Sequence, residues 1–121
     1  MKPLFVYGTL KRGCSNHAQM VGQKFVAEAR TVPGYRLFDV GGYPGLVPWP
    51  DDREGVTGEI WLVDEPGHAR LDRFEGVGEG LYRREAMDLA APHDLEVVDG
   101  YVYARSVEGL RDAGATWREP G

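Results

Sequence analysis

The chain has 121 residues, 42% hydrophobic and 27% charged, with a net charge of −5. That length suits one domain with its own core, and the acidic balance argues against a nucleic-acid partner. No apolar run approaches the roughly 20 residues of a membrane helix, and the lone cysteine, Cys14, excludes an internal disulfide and fits a reduced, cytoplasmic setting.

The N-terminus carries one cation and only a short apolar run, which is not the pattern of a signal peptide. Residues 2–8 read as a first strand, apolar enough to be central in a sheet. A loop over 9–15 follows. Asn16 is placed to cap a short helix through about Gly22. Phe25 to Thr31 and Tyr35 to Val40 read as strands, separated by Val32-Pro33-Gly34. The Gly- and Pro-rich stretch 41–52 reads as irregular.

"GVTGEIWLV" (55–63) alternates and is rich in strand formers. Asp64 then reads as an N-cap, with Pro66 in the first turn of a helix that runs to about Glu75 and stops at Gly76. Ala69, Leu71 and Phe74 are its expected core-facing residues. "GVGEG" (76–80) reads as a glycine loop. Tyr82 to Ala90 and Leu95 to Arg105 read as two more strands joined by a turn at Ala91-Pro92-His93-Asp94. The pattern fades over 106–121, where Leu110 and Trp117 are placed to dock on the body. Residues 1–121 thus form one domain, with a core over about 2–105. The class is α+β: a small mixed β-barrel or half-barrel with two flanking helices.

Two stretches bear on chemistry. The first is "FVYGTLKRG" (5–13), where an apolar strand ends in Tyr7-Gly8-Thr9-Leu10. Successive amides at such a strand end can converge on an anion, and glycine permits close approach. The plainer alternative is a glycine turn with Tyr7 in the core. The second is "RLDRFEG" (70–76), which puts Glu75 in the last turn of a helix. The negative helix end and an apolar pocket would both raise its pKa towards the range useful for proton transfer. Its alternative is a solvated surface glutamate. Asp72, three positions earlier, shares its face and would push that pKa further up if close. Arg70, Arg73, Arg83 and Arg84, interspersed with Asp72, Glu79 and Glu85, read as a solvated ion-pair face. Cys14 and His17 offer a nucleophile and a base without a third, orienting group. His17, His68 and His93 have no metal-ligand spacing, so no metal is expected.

Together "VYGTLKRG", "GGYPGLVP" (41–48), "VTGEIWLV" (56–63), "LDRFEG" (71–76) and "LYRRE" (81–85) resemble the gamma-glutamylcyclotransferase-like family, over about residues 4–105. The small single-domain members, including gamma-glutamylamine cyclotransferases, are most similar. The resemblance implies a half-barrel with a cavity beside the first strand. It implies a cofactor-independent reaction in which the α-amine of a γ-glutamyl compound attacks its own γ-carbonyl and releases 5-oxoproline and a free amine. It places general acid/base work on Glu75 and substrate binding on Tyr7, Gly8, Thr9, Leu10 and Tyr82, with Tyr43 and Pro44 as cavity wall. The expected partner is a small γ-glutamyl molecule, and both a monomer and a homodimer are compatible. Two other readings stay open: a non-catalytic module holding a small carboxylate in the same cavity, and acyl transfer through Cys14.

Overall fold

The computed structural model describes residues 1–119, so Pro120 and Gly121, at the end of the expected tail, lie outside the described residues. Eight strands and one α-helix follow in order. They are β1 (Lys2–Val6), β2 (Lys24–Arg30), β3 (Tyr35–Asp39), β4 (Pro44–Pro48), β5 (Thr57–Val63), α1 (Glu65–Phe74), β6 (Tyr82–Met87), β7 (Val98–Tyr103) and β8 (Arg111–Gly114). Two 3₁₀ turns lie at His17–Met20 and Val77–Glu79.

All eight strands join one mixed sheet, in the order β2-β5-β1-β7-β4-β3-β8, with β6 paired to β7. β1 is central, antiparallel to β5 and parallel to β7. Its apolar run has the expected cause, burial on both faces. Leu4 and Val6 enter one core with Leu71 of α1, while Phe5 and Tyr7 enter a second. The second core gathers Leu37 of β3 and Ile60 of β5, from opposite wings of the sheet, so the sheet curves around it. The half-barrel expectation holds.

Along β7 the pairing forks. β6 occupies one edge of β7 for its whole length, from Met87 opposite Val98 to Tyr82 opposite Tyr103. The other edge is shared. β1 holds it at Asp99 and Gly100, and β4 takes over at Val102. The C-terminal end of β1 therefore diverges from the sheet into a cleft, and Tyr7-Gly8 stand at the point of divergence.

Several expectations are corrected. The first helix is only a 3₁₀ turn, and Asn16 makes no side-chain cap. Its amide instead donates to Thr9 Oγ1 at 3.1 Å, and so short a segment cannot offset helix nucleation. The irregular stretch 41–52 contains β4, whose Leu46 and Val47 are buried. Pro44 and Pro48 sit at its two ends, where a missing N–H is tolerated. The tail contributes β8, and Trp117 is buried in the second core as anticipated. The strand expected to begin at Leu95 begins at Val98, and Leu95 and Val97 are exposed.

The helix has its expected start. Asp64 accepts from the Gly67 amide at 2.7 Å, and Gly76 stops it with φ of 68°. Its buried face, however, is Gly67, His68 and Leu71, while Ala69 and Phe74 are exposed. Four residues beyond Leu71, the next inward position is Glu75.

Candidate active site at the β1–β4 fork

Tyr7 closes the fork with its side chain. Its hydroxyl donates to the Tyr101 carbonyl of β7 at 2.6 Å and accepts from the Leu46 amide of β4 at 3.3 Å. One phenol thus satisfies two backbone groups that the diverging strands leave unpaired. Gly8 then passes so close to β4 that an added Cβ would lie 2.5 Å from Pro44 Cγ. The glycine is required by a neighbouring strand, where the sequence suggested a ligand.

Beyond Gly8 the chain turns. The carbonyls of Gly8, Thr9 and Leu10 all accept protein hydrogen bonds, from the Lys11 amide at 3.1 Å, the Asn16 amide at 2.9 Å and His17 Nδ1 at 2.9 Å. The amides of the same three residues donate to no protein group among the described residues. Three consecutive donors are thus held in a fixed loop and free for an acceptor.

Glu75 faces them. Tyr7, Gly8, Thr9, Leu10, Glu75 and Tyr82 line one cavity of about 30 Å³, with Tyr43, Pro44 and Tyr101 completing its walls. Burial raises the Glu75 carboxyl from its ordinary value of 4.5 to about 7. No side-chain hydrogen bond to that carboxyl exists among the described residues, so it is a part-buried acid with its proton chemistry uncommitted.

The expected contribution of Asp72 is absent. Its carboxylate is engaged by Arg84 and the Tyr101 hydroxyl, and burial alone accounts for the shift of Glu75. The supposed solvated face is correspondingly part-buried at Arg84, while Arg83 and Glu85 do form an exposed pair. Tyr82 lines the cavity, but its hydroxyl donates to the Pro44 carbonyl at 2.6 Å and does not bond Glu75. Tyr101 was missed in the sequence. Only the alternation of β7, which turns residues 99, 101 and 103 towards α1, could have signalled it.

A larger cavity of about 570 Å³ lies elsewhere, beside β2 and β5, lined by Lys11, Arg12, Cys14 and Arg30 among others. Its polar groups are taken. Buried Glu59 accepts from the Arg12 amide, Arg12 Nε and Trp61 Nε1. Arg12 also lies over the Phe25 ring. Cys14 and His17 do not make a nucleophile and base. Partial burial pushes the thiol up, and the His17 ring is held by the Leu10 carbonyl and packs on Trp61. Chemistry is better served by the small cavity, which is lined by an unpaired acid and by three residues whose amides are unpaired.

The family model described as gamma-glutamyl cyclotransferase, AIG2-like, matches residues 4–119. The chain belongs to that family. A Vibrio cholerae protein provisionally named a gamma-glutamylcyclotransferase is 42% identical over 111 residues, covering 92% of this chain and 91% of its own. A rat gamma-glutamylaminecyclotransferase is 38% identical over 96 residues, which span 74% of this chain and 64% of that longer protein. Among solved structures, an Escherichia coli protein described as specific to uropathogenic strains superposes with a TM-score of 0.79 at 30% identity, covering 95% of this chain and 91% of that one. A mouse AIG2-like protein superposes with a TM-score of 0.69 at 33% identity, covering 88% and 78%. The cyclotransferase class and the half-barrel fold inferred from the motifs are those of this family. No helix among the described residues is long and apolar enough to cross a membrane.

Proposed function

We propose that this cyclotransferase converts a small γ-glutamyl compound to 5-oxoproline and a free amine, with Glu75 carrying the proton. The observation behind this reading is the juxtaposition at the fork: an unpaired carboxyl raised to about 7 in one cavity with three residues whose amides are unpaired.

In the reaction the substrate's α-nitrogen attacks its γ-carbonyl. A new C–N bond closes the five-membered ring, and the original amide C–N bond breaks. The α-ammonium must first lose a proton, and the departing amine must gain one. A carboxylate poised near neutrality suits both transfers. The free amides of Gly8, Thr9 and Leu10 supply donors for the substrate carboxylate or for the developing oxyanion. Tyr7 and Tyr82 shape the cavity, since their hydroxyls are spent on backbone groups. Because nucleophile and electrophile share one molecule, holding it folded is most of the task, and such orientation contributes on the order of 7–11 kcal/mol in the best cases. The cavity of about 30 Å³ is far below the few hundred Å³ of a typical ligand pocket, so a substrate must displace its rim. Half-exposed Tyr43 forms that rim, preceded by Gly41 and Gly42 with φ of 135° and 94°.

The test is 5-oxoproline release from a panel of γ-glutamyl compounds by the wild type and Glu75→Gln. The wild type should release it, and the variant should lose about 100-fold or more in turnover. Equal release by the two proteins would remove Glu75 from the mechanism. No release across the panel, with heat stabilisation by 5-oxoproline, would favour a binding module in the same cavity.

A further inference from the structure

Behind Glu75 lies a layer of charge that the proposed reaction does not use. Asp72, in the last turn of α1, precedes the C-cap residue Glu75 by three positions, and the two share a face. Arg84 of β6 grips Asp72 with two bonds, Nε to Oδ1 at 2.9 Å and Nη2 to Oδ2 at 3.2 Å. Its Nη1 donates to Asp99 Oδ2 at 2.9 Å. Tyr101 of β7 donates its hydroxyl to Asp72 Oδ1 at 2.7 Å, while its ring lines the Glu75 cavity. One carboxylate thus ties the last turns of α1 to both β6 and β7. A two-point guanidinium–carboxylate contact fixes orientation as well as charge.

The charges bearing on Glu75 can be counted. Tyr7 of β1, Tyr82 of β6, Tyr101 of β7 and Tyr43 of the rim share the cavity with it. Burial pushes Tyr7, Tyr82 and Tyr101 upward, away from ionisation. On its own helix stand Asp72 and, a turn further, His68, which burial and then Arg84 push down, keeping it neutral. Of the full charges near Glu75, Asp72 stands three positions back, with Arg84 and its second acid, Asp99, behind it, and the Glu79 carboxylate lies beside Gly76, 3.6 Å from where a Cβ there would stand.

We propose that Arg84 and Asp72 are positioning residues of the Glu75 site. Their pair locks the end of α1 onto β6 and β7, and the guanidinium cancels the Asp72 charge, so that the cavity alone sets the proton affinity of Glu75. This rests on Glu75 being the proton carrier.

Carbon-13 NMR of labelled glutamate follows the Glu75 carboxyl without turnover, its signal assigned by loss in Glu75→Gln. Arg84→Gln should raise its titration midpoint by roughly half a unit or more, since a bare like charge then lies one turn away. Asp72→Asn leaves the cation partly unopposed and should lower the midpoint. The double variant should return near the wild type. Arg84→Lys, which keeps the charge and loses the fork, should hold the midpoint while turnover falls. If Arg84→Gln does not fold, a drop in Asp72→Asn with none in Arg84→Lys supports the proposal, and no drop overturns it. Unchanged midpoints in all variants, with stability losses alone, also overturn it. A wild type that releases no 5-oxoproline strikes at the proposed function, whereas unchanged midpoints in a protein that does release it strike at the pair.

Discussion

Glu75 occupies a position that its helix would otherwise give to an apolar residue, four beyond Leu71. The burial that equips it for proton transfer carries a stability cost. Its folded pKa, about 7, lies above its ordinary value of 4.5, so between those values the folded state binds more protons than the unfolded. Stability from this group is intact below about pH 4.5 and falls as pH rises through about 7. The full loss is on the order of 2–3 kcal/mol, discounted because Glu75 is only part-buried. Glu75→Gln should therefore match the wild type near pH 4 and exceed it by that amount near pH 8, in urea melts at the two values. An equal difference at both would mean that Glu75 does not ionise within this window.

At the scale of elements, the site is a by-product of an exchange of strands along β7. β1 leaves the edge, β4 takes it over, and the gap is sealed by the Tyr7 phenol between the Tyr101 carbonyl and the Leu46 amide. Tyr7→Phe keeps the ring and leaves both buried backbone groups unpaired. It should cost about 1–3 kcal/mol, and hydrogen exchange at the Leu46 amide should accelerate with it. A neutral Tyr7→Phe would show the fork to be held by packing alone. The end of β1 and the helix before Glu75 were legible locally. The apolar run, the Asp64 cap and the Gly76 stop are all written within a few residues of the element they define. β4 was not, because its Gly and Pro content signals a loop. Gly45 serves instead to let Tyr103 lie against the strand, since a Cβ there would lie 2.8 Å from Tyr103 Cγ.

On the scale of the whole molecule, the C-terminal segment holds the site loop from outside. Trp117 is buried in the second core, and its carbonyl accepts from Lys11 Nζ at 2.9 Å. Ser15 Oγ donates to Glu119 at 2.7 Å, and the Ala115 carbonyl takes the Thr57 amide at 2.8 Å. Trp117→Ala should cost about 3–5 kcal/mol and should loosen residues 8–16 in hydrogen exchange more than α1. Uniform loosening would mean that the segment supports the core and not the loop.

By itself the sequence determined the α+β class, the strand that leads to the site, the helix that ends at Glu75 and, through its spaced motifs, the cyclotransferase family. Those features are carried by local propensity, by periodicity and by the order of short stretches. Only the tertiary structure decided that the Gly8 amide and its two successors stay unpaired while their carbonyls are taken, and that Asp72 is neutralised by Arg84. It also decided that the hydroxyls of Tyr7 and Tyr82 serve the backbone. Each of these depends on partners far apart in the chain, as Tyr7 and Tyr101 are, 94 positions distant. A polar group's role is settled by the acceptor or donor that folding brings to it, which no local pattern specifies.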